Sequence, residues 1–398
     1  MATRIIPIIL LLWHCTAPQE IQPPKPVKEI VLDSLAHPWS IAFISSDQAF
    51  ITEKDGNLLK VNLSTKEKTI IKGFPEDLFT PLQLDCSEYE PRIYPTSLDG
   101  QTIRGNAGIL DIVLDPDFTK NQEIYLSYIS QKDKTYALKV IKAEVKDDQL
   151  TNIRTVLNPG PYVPGLWHFG GGLCIVGEHL YITVGERLFF EDYKQGLAIA
   201  QDVKDERGKI YRIHLDGSIP SDNPDFGPDA AKGLYAFGIR AAQGIIQRPG
   251  SDKIWFSEHG TIQGDELNVL QAGANYGWPN ITSGKWRSPG YEPAELEDPD
   301  YTFPQHYWEH TVAPTGLCFY TGTEFPTWSG SLIVPGLSRG SLWRMTLEDD
   351  QIVSAEELFM HDRVRSRKVK QSPDGHLYLL TDEDDGKLIR IINQNNHD

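Results

Sequence analysis

Short apolar segments alternate with polar turns along most of the chain. One unit recurs: a short apolar strand, a turn rich in Ser, Thr, Asp, Glu and Gly, and a second apolar strand. Apolar runs bounded by turn residues predict β-hairpins. Six such hairpins are visible, and they begin near Ala49, Ile124, Leu180, Ile254, Ser331 and Leu377.

A single hairpin buries little apolar surface, so repeated hairpins need neighbours to form a core. A radial array of about six four-stranded blades uses such a repeat without leaving long exposed strand edges. We therefore predict an all-β fold, a six-bladed β-propeller of four-stranded antiparallel blades, over residues 28–395. A β-sandwich with accidentally similar hairpins is the alternative. Two insertions rich in Pro, Gly and Asp, residues 73–104 and 279–304, predict loops over one face.

The N-terminal residues have a different pattern. Arg4 precedes an apolar run from Ile5 to Trp13, which is too short to cross a bilayer as a mature helix. This pattern predicts an export signal in residues 1–15, and Leu12 before Cys15 makes it similar to a lipoprotein signal with a possible lipid anchor at Cys15. Residues 16–27 predict a Pro-rich linker. We expect an exported protein, either periplasmic or anchored to a membrane as a lipoprotein.

Charge and cysteine spacing narrow the classes of partner and cofactor. The formal net charge of −17 argues against nucleic acid as a partner, because phosphate binding needs a basic surface. Cys174 and Cys318 lie in apolar runs, which predicts buried free thiols. The Gly-x-Gly fragments do not open helices of βαβ units, and this argues against nicotinamide and flavin cofactors.

Three segments contain residues suited to chemistry. His168 lies in a glycine-rich segment before a strand, where it suits either a general base or a satisfied structural histidine. The turn from Glu258 to Glu266 combines carboxylates with backbone carbonyls, so it predicts a calcium site or a solvated acidic turn. Arg240 and the basic stretch 362–368 supply cations that suit a polycarboxylate.

Taken together, these segments resemble the soluble glucose/sorbosone dehydrogenase family, and most of all its PQQ-dependent aldose sugar dehydrogenase branch. The resemblance extends from His37 to Asp382. Its motifs include His37–Phe43, Gly105–Phe118, Trp167–Gly170, Gly238–Arg240, Ser257–Gly260, Gly264–Asn268, Asn275–Pro279 and Ser372–Gly375.

The resemblance implies a role for each matching residue. His168 would be the catalytic base that accepts the proton of the sugar's anomeric hydroxyl, with hydride passing to the quinone and the aldose becoming a lactone. Arg240 would stabilise charge on the quinone. The other cofactor-binding positions are Asn106, Gln243, Thr311, Ser338, Arg365 and Arg367. Carbonyls of Gly260 and Thr261 would hold the calcium that chelates the quinone, whereas Glu266 and Tyr276 match ligands of a second, structural calcium.

Several positions depart from the family pattern. Ser338 replaces a pocket lysine, Ala241 an asparagine and Gly172 a common arginine. Asn106 stands for glutamine, Thr261 for proline and Lys368 for aspartate. These losses remove charge-assisted hydrogen bonds, and Arg339 or Lys368 could supply replacements.

The expected function is oxidation of an aldose at C1, with PQQ and Ca²⁺ as cofactors and an external electron acceptor. The alternatives are a non-catalytic propeller that binds a saccharide or a protein, and a calcium-dependent hydrolase or lactonase built on Glu258, His259 and Asp265.

Overall fold

The structure is a computed structural model. It describes residues 23–80, 84–85, 102–103, 108–187, 199–261, 263–284, 299–338, 340–360, 362 and 364–396. The predicted export signal, most of the linker, Cys15 and Asn106 lie outside these residues, so export and lipid attachment stay predictions. In the described part of the chain no helix is long and apolar enough to cross a membrane.

Six four-stranded antiparallel sheets form the fold, and each is one blade of a propeller. From the axis outward, blade 1 contains Pro38–Phe43, Gln48–Glu53, Leu58–Asn62 and Lys68–Ile71. Blade 2 contains Ile109–Leu114, Glu123–Lys132, Thr135–Lys146 and Gln149–Leu157. Blade 3 contains Gly170–Val176, His179–Val184, Lys209–His214 and Leu234–Phe237.

Blade 4 contains Ala242–Gln247, Ile254–Glu258, Asp265–Val269 and His306–Trp308. Blade 5 contains Cys318–Phe319, Leu332–Pro335, Leu342–Glu348 and Gln351–Leu358. Blade 6 contains Ser366–Gln371, Leu377–Thr381, Gly386–Asn393 and, on its outer edge, the N-terminal strand Pro26–Leu35. The other elements of the described residues are a strand pair, Leu84–Asp85 with Thr102–Ile103, an α-helical turn, Phe118–Asn121, and the 3₁₀ turns Pro326–Trp328 and Gln394–Asn396.

The six-bladed propeller confirms the prediction from the hairpin repeat. Each predicted hairpin forms the second and third strands of one blade. The N-terminal strand pairs with the last strand of the chain and so closes the ring within blade 6. This strand begins at Pro26, two residues before the start of the predicted domain.

Apolar side chains pack between neighbouring blades. The buried residues of the described part of the chain form six clusters, and each cluster joins side chains of two adjacent blades, with Trp39 of blade 1 added to the cluster between blades 2 and 3. Cys174 and Cys318 belong to two of these clusters as buried free thiols, as predicted. Every blade therefore depends on both neighbours for its core.

At four of the blade interfaces near the axis, a hydroxyl group of a second strand joins neighbouring blades. In blades 1 to 4 a buried Ser or Thr of the second strand donates to a carbonyl of the next blade. The pairs are Thr52 Oγ1 with Leu110 O (2.6 Å), Ser127 Oγ with Gly171 O (2.6 Å), Thr183 Oγ1 with Ala242 O (3.1 Å) and Ser257 Oγ with Thr315 O (2.6 Å). Each hydroxyl also accepts a backbone N–H from the first strand of its own blade. We call these four residues the blade clasps.

Strand direction brings the loops of all blades to a common face. The start of the first strand of each blade lies at the same end of the propeller as the turn between the second and third strands. We call this end the upper face. His168, Arg240 and Arg365 lie just before first strands, whereas Lys54, Glu186 and residues 259–264 follow second strands. Six separate segments of the sequence thus converge on one face.

We predict that Thr183→Val destabilises the protein by about 1–3 kcal/mol. The substitution keeps the shape but leaves Gly172 N–H and Ala242 C=O without their hydroxyl partner, and both groups are buried. Urea unfolding followed by circular dichroism measures the change. Thr151→Val, on the outer strand of blade 2, is the control, and an equal loss in both variants would contradict the role of the clasp.

Candidate active site

His168 lies on the upper face with its ring held by a buried glutamate. Its φ of 51° turns the chain sharply before the first strand of blade 3. Its carbonyl passes so near Gly185 that a Cβ there would be 2.0 Å from the oxygen, so residue 185 must be glycine. The next residue, Glu186, has a side chain only 1% exposed, and its Oε1 lies 2.6 Å from His168 Nδ1.

This pair defines which ring nitrogen of His168 is basic. The Glu186 carboxylate accepts the Nδ1–H, which fixes the tautomer and leaves Nε2 as the basic atom of the neutral ring. A buried carboxylate also stabilises the imidazolium that forms when Nε2 takes a proton. The sequence analysis missed Glu186. Its only signal was the Gly-Glu step that directly follows a predicted strand.

Arg240 is buried between His168 and the turn that follows the second strand of blade 4. Its carbonyl accepts from Glu186 N–H at 2.9 Å, and its own N–H donates to Glu258 Oε1. The guanidinium donates to His259 O at 2.9 Å and lies 5.2 Å from the centre of the Trp278 ring. Backbone and side chain are both fixed, so the guanidinium charge has a set position on the upper face.

A second group of cations surrounds Asp382, a carboxylate that is 1% exposed. Its Oδ2 accepts from Lys54 Nζ at 2.7 Å and from Arg367 at 2.5 Å, and Arg365 lies 3.5 Å away. Burial by itself would raise the pKa of Asp382, but Lys54 and Arg367 hold it well below its usual range. Three cations thus share one carboxylate. We call Lys54, Arg365 and Arg367 the cationic wall.

Trp39 forms one side of the cationic wall. The guanidinium carbon of Arg367 is 4.0 Å from the centre of its ring, and Lys54 Nζ is 5.2 Å away. The buried Gln243 accepts from Arg367 at 3.5 Å. Arg367 and Gln243 therefore lie in contact, whereas Arg365 keeps a side chain 52% exposed at the rim.

Lys368 does not replace the missing pocket lysine. Its Nζ binds both oxygens of Asp111 at 2.9 and 3.1 Å, across the axis of the propeller. Asp111 also accepts from Ser40 Oγ at 2.5 Å and from Leu173 N–H at 3.0 Å, so it ties blades 1, 2, 3 and 6 together. Asp111 neutralises the charge of Lys368 in this buried ion pair. Arg339 lies outside the described residues.

The turn after the second strand of blade 4 encloses a small cavity of about 10 Å³, room for one water-sized sphere. The residues that line it include Glu258, Glu266 and Arg240 as well as Gly260, Gly264 and Tyr276. Burial and the neighbouring Glu266 raise the pKa of Glu258 to about 8. Its Oε2 is buried and has no hydrogen-bond partner among the residues that the structure describes. A cation in this cavity would give Glu258 a charged partner, whereas Glu266 already accepts from Ser283 and Asn268.

The predicted metal ligands meet this cavity in different ways. Gly260, Glu266 and Tyr276 line it. The phenol of Tyr276 donates to Val269 O at 2.7 Å, so the backbone carbonyl of Tyr276 is the oxygen that would bind a metal ion. Thr261 is buried next to a residue outside the described set. Among the described residues no three His, Cys, Asp or Glu side chains are grouped to hold a metal ion. An ion here would depend on carbonyl oxygens as well as on carboxylates.

Asp265 and His259 are engaged in structural contacts. Asp265 accepts three backbone N–H groups, from Gly260 at 2.8 Å and from Val312 and Ala313 at 2.7 Å each. His259 Nε2 lies 2.9 Å from Pro314 O, and burial lowers its pKa to about 4 despite the nearby Asp265 carboxylate. The neutral ring donates its proton to a carbonyl. Neither residue has the arrangement of a catalytic base, which argues against the hydrolase alternative.

The remaining predicted positions lie at the rim or inside the backbone packing. Thr311 and Ser338 are exposed. Ala241 is fully buried, and a Cβ on Gly172 would be 2.8 Å from Gln243 O, so there is no room for the family's arginine side chain in this backbone. Asn106 lies outside the described residues.

Residues 35–390 match the family model described as "Glucose / Sorbosone dehydrogenase". The chain belongs to this family. It is 30% identical to an aldose sugar dehydrogenase of Escherichia coli over 98% of both chains, and 24% identical to quinoprotein glucose dehydrogenase B of Acinetobacter calcoaceticus over 92% of this chain and 88% of the relative. The crystal structure of the soluble Escherichia coli aldose sugar dehydrogenase in its apo form superposes with a TM-score of 0.80, at 29% identity, over 93% of this chain and 100% of that one.

As a member of this family, the chain belongs to a group of sugar-oxidising oxidoreductases. The family motifs quoted from the sequence supply the upper-face residues His168 and Arg240, and the basic stretch 362–368 supplies Arg365 and Arg367. The resemblance seen in the sequence is therefore confirmed at the level of family and fold.

We predict that Asp265→Ala destabilises the protein by about 2–4 kcal/mol, because it leaves three backbone N–H groups without their acceptor. Chemical unfolding measures the loss. Asp252→Ala, on the turn at the opposite end of blade 4, is the matched control. A wild-type unfolding curve for Asp265→Ala would show that the carboxylate does not hold the turn.

Proposed function

We propose that this protein oxidises the C1 hydroxyl of aldose sugars to lactones, with pyrroloquinoline quinone and calcium as cofactors. The observation that carries the proposal is the His168–Glu186 pair, which lies on the same face as Arg240 and the cationic wall. A base fixed in one tautomer beside an anion-binding surface suits proton removal from a sugar next to an anionic cofactor.

The charge distribution supports a polyanionic cofactor. The chain as a whole carries a formal charge of −17, yet the cationic wall places three cations around one buried carboxylate. Arginine forks suit carboxylates, so Arg365 and Arg367 would hold those of the quinone, with Arg240 and Gln243 beside it. Thr311, Ser338 and Asn106 are proposed as further contacts at the rim.

Each residue of the site has a defined part in the proposed reaction. When bound, the quinone supplies the acceptor for the hydride that leaves C1 with its electron pair. His168 Nε2 takes the proton of the C1 hydroxyl, which gives the lactone C=O, and Glu186 stabilises the imidazolium. Arg240 supplies positive charge where negative charge develops on the acceptor side.

Calcium is proposed at the turn after the second strand of blade 4. Glu258, Glu266 and the carbonyl of Tyr276 would hold one ion in the small cavity, and the carbonyls of Gly260 and Thr261 would hold an ion toward the cofactor. The first of these sites is supported by Glu258 Oε2, which is buried and has no partner within the described part of the chain. Hard oxygen donors of this kind suit Ca²⁺.

Reconstitution separates this function from the alternative of a non-catalytic propeller that binds a saccharide or a protein. Purified protein is loaded with PQQ and Ca²⁺, and dye reduction is followed with several aldoses. Quinone-dependent turnover supports the enzyme. Saccharide binding without turnover at any PQQ concentration would favour the non-catalytic alternative.

His168→Ala is predicted to lower kcat by about 10²–10⁴-fold, because the base that accepts the hydroxyl proton is lost, and to leave quinone binding intact.

Glu186→Gln is predicted to lower kcat about 10-fold or more with little change in KM, because the imidazolium loses its stabilising charge. Steady-state kinetics of the reconstituted variants measures both effects. His376→Gln, at the opposite face, is the control. Full kcat in His168→Ala would exclude the proposed base.

Calcium is predicted to raise the melting temperature of the wild-type protein and to have a much smaller effect on Glu266→Gln, because the substitution removes a charged ligand from the cavity. Thermal unfolding with CaCl₂ and with EDTA measures the difference. Glu309→Gln, an exposed residue, should respond like the wild type. Equal calcium responses in the wild-type and Glu266→Gln proteins would place any bound calcium elsewhere.

A further inference from the structure

We propose that Lys54 is an additional binding residue for a polycarboxylate cofactor, and that it couples binding of this cofactor to the uptake of a proton. The inference rests on the proposed function, since the polycarboxylate is the quinone. Lys54 follows the second strand of blade 1, whereas Arg365 and Arg367 belong to blade 6. The sequence analysis did not select it.

The position of Lys54 is set by contacts on several sides. Its N–H donates to His37 O at 3.2 Å, and its Nζ donates to Asp382 Oδ2 at 2.7 Å beside the ring of Trp39. A Cβ on Gly108 would lie 1.8 Å from its carbonyl, so residue 108 must be glycine for the two loops to meet here. Lys54 is therefore a fixed cation next to Arg367 and not a mobile surface lysine.

The balance of charge around Lys54 favours an anion. The charged groups that face Lys54 are Asp382, Arg367 and Arg365. The ring of His37 contacts Asp382 from the other side through Nδ1. The second ring nitrogen of His37 lies 2.8 Å from the exposed Asp384. With Lys54 protonated, these three residues carry three positive charges, and the one carboxylate that they share leaves an excess of two. The nearby Lys368 is matched by Asp111 and does not contribute. A ligand with several carboxylates would restore neutrality.

Burial makes the charge of Lys54 conditional. It lowers the pKa of Lys54 to about 7, with Asp382 opposing the shift and Arg367 adding to it. Near this pH the free protein holds Lys54 partly neutral. A bound polyanion favours the ammonium form and raises the pKa, so binding takes up a proton when the pH lies above about 7. Affinity should be highest below pH 7 and fall by up to about tenfold per pH unit above it.

Two substitutions of Lys54 distinguish the effect of its positive charge on affinity from the effect of proton uptake on affinity. Lys54→Arg keeps a cation that stays charged over the whole range, so it should retain affinity and lose the fall above pH 7. Lys54→Met removes the cation and should weaken binding about 10- to 100-fold. Lys60→Met, on the third strand of blade 1, is the control. Thermal unfolding of each variant verifies that it is folded.

Isothermal titration of the calcium-containing protein with PQQ is the test, carried out between pH 6 and 9 in buffers of different ionisation enthalpy. We expect the wild type and Lys60→Met to take up close to one proton per quinone at about pH 8, and Lys54→Arg to take up almost none. His37→Gln should behave like the wild type, which separates Lys54 from the other titratable group at Asp382.

The possible outcomes distinguish the two proposals. Tight PQQ binding with equal proton uptake in the wild type and in Lys54→Arg would overturn the role of Lys54 and leave the proposed function intact. Wild-type affinity in folded Lys54→Met would do the same. If the wild-type protein binds no PQQ at any pH, the proposed function and the Lys54 site both fail.

Discussion

A Ser or Thr hydroxyl near the end of a second strand connects one blade to the first strand of the next, and the geometry of the upper face depends on this contact. The clasp oxygen of Thr183 accepts from Gly172 in its own blade and donates to Ala242 in the next. Residues 168 and 240 lie just outside these two first strands. By fixing where the strands begin, the clasp sets the distance between the base and the arginine, and blades 1, 2 and 4 repeat the device.

Buried charge is distributed unevenly around the axis. Asp111 and Lys368 neutralise each other and fasten four blades, so their contribution is structural. Asp382 is shared among three cations, which leaves positive charge where a ligand can reach it through the exposed Arg365. Around Glu258 and Glu266, two carboxyl groups and Arg240 line one small cavity. The excess positive charge around Asp382 suits the anionic cofactor that we propose.

The departures from the family pattern have different physical origins. Gly172 is required by the close approach of Gln243 O, so an arginine is excluded by backbone packing. Ala241 is fully buried, whereas Ser338 lies at the exposed rim. The charge that the family's lysine would bring is thus absent at Ser338, while Lys54 brings a cation to the site from another blade.

The sequence by itself determined the architecture and the main chemical groups. Hairpin repetition predicted six blades because apolar and turn residues alternate locally, and the motifs around His168, Arg240 and Arg367 identified the family. What the sequence left undecided were the partners of each charge. The pairs are Glu186 with His168, Lys54 with Asp382, and Lys368 with Asp111. The two members of a pair are between 18 and 328 residues apart in the sequence. Only the closed ring decided these pairs, because a charge binds the nearest complementary group in space, and neighbouring blades bring together groups that are distant in sequence.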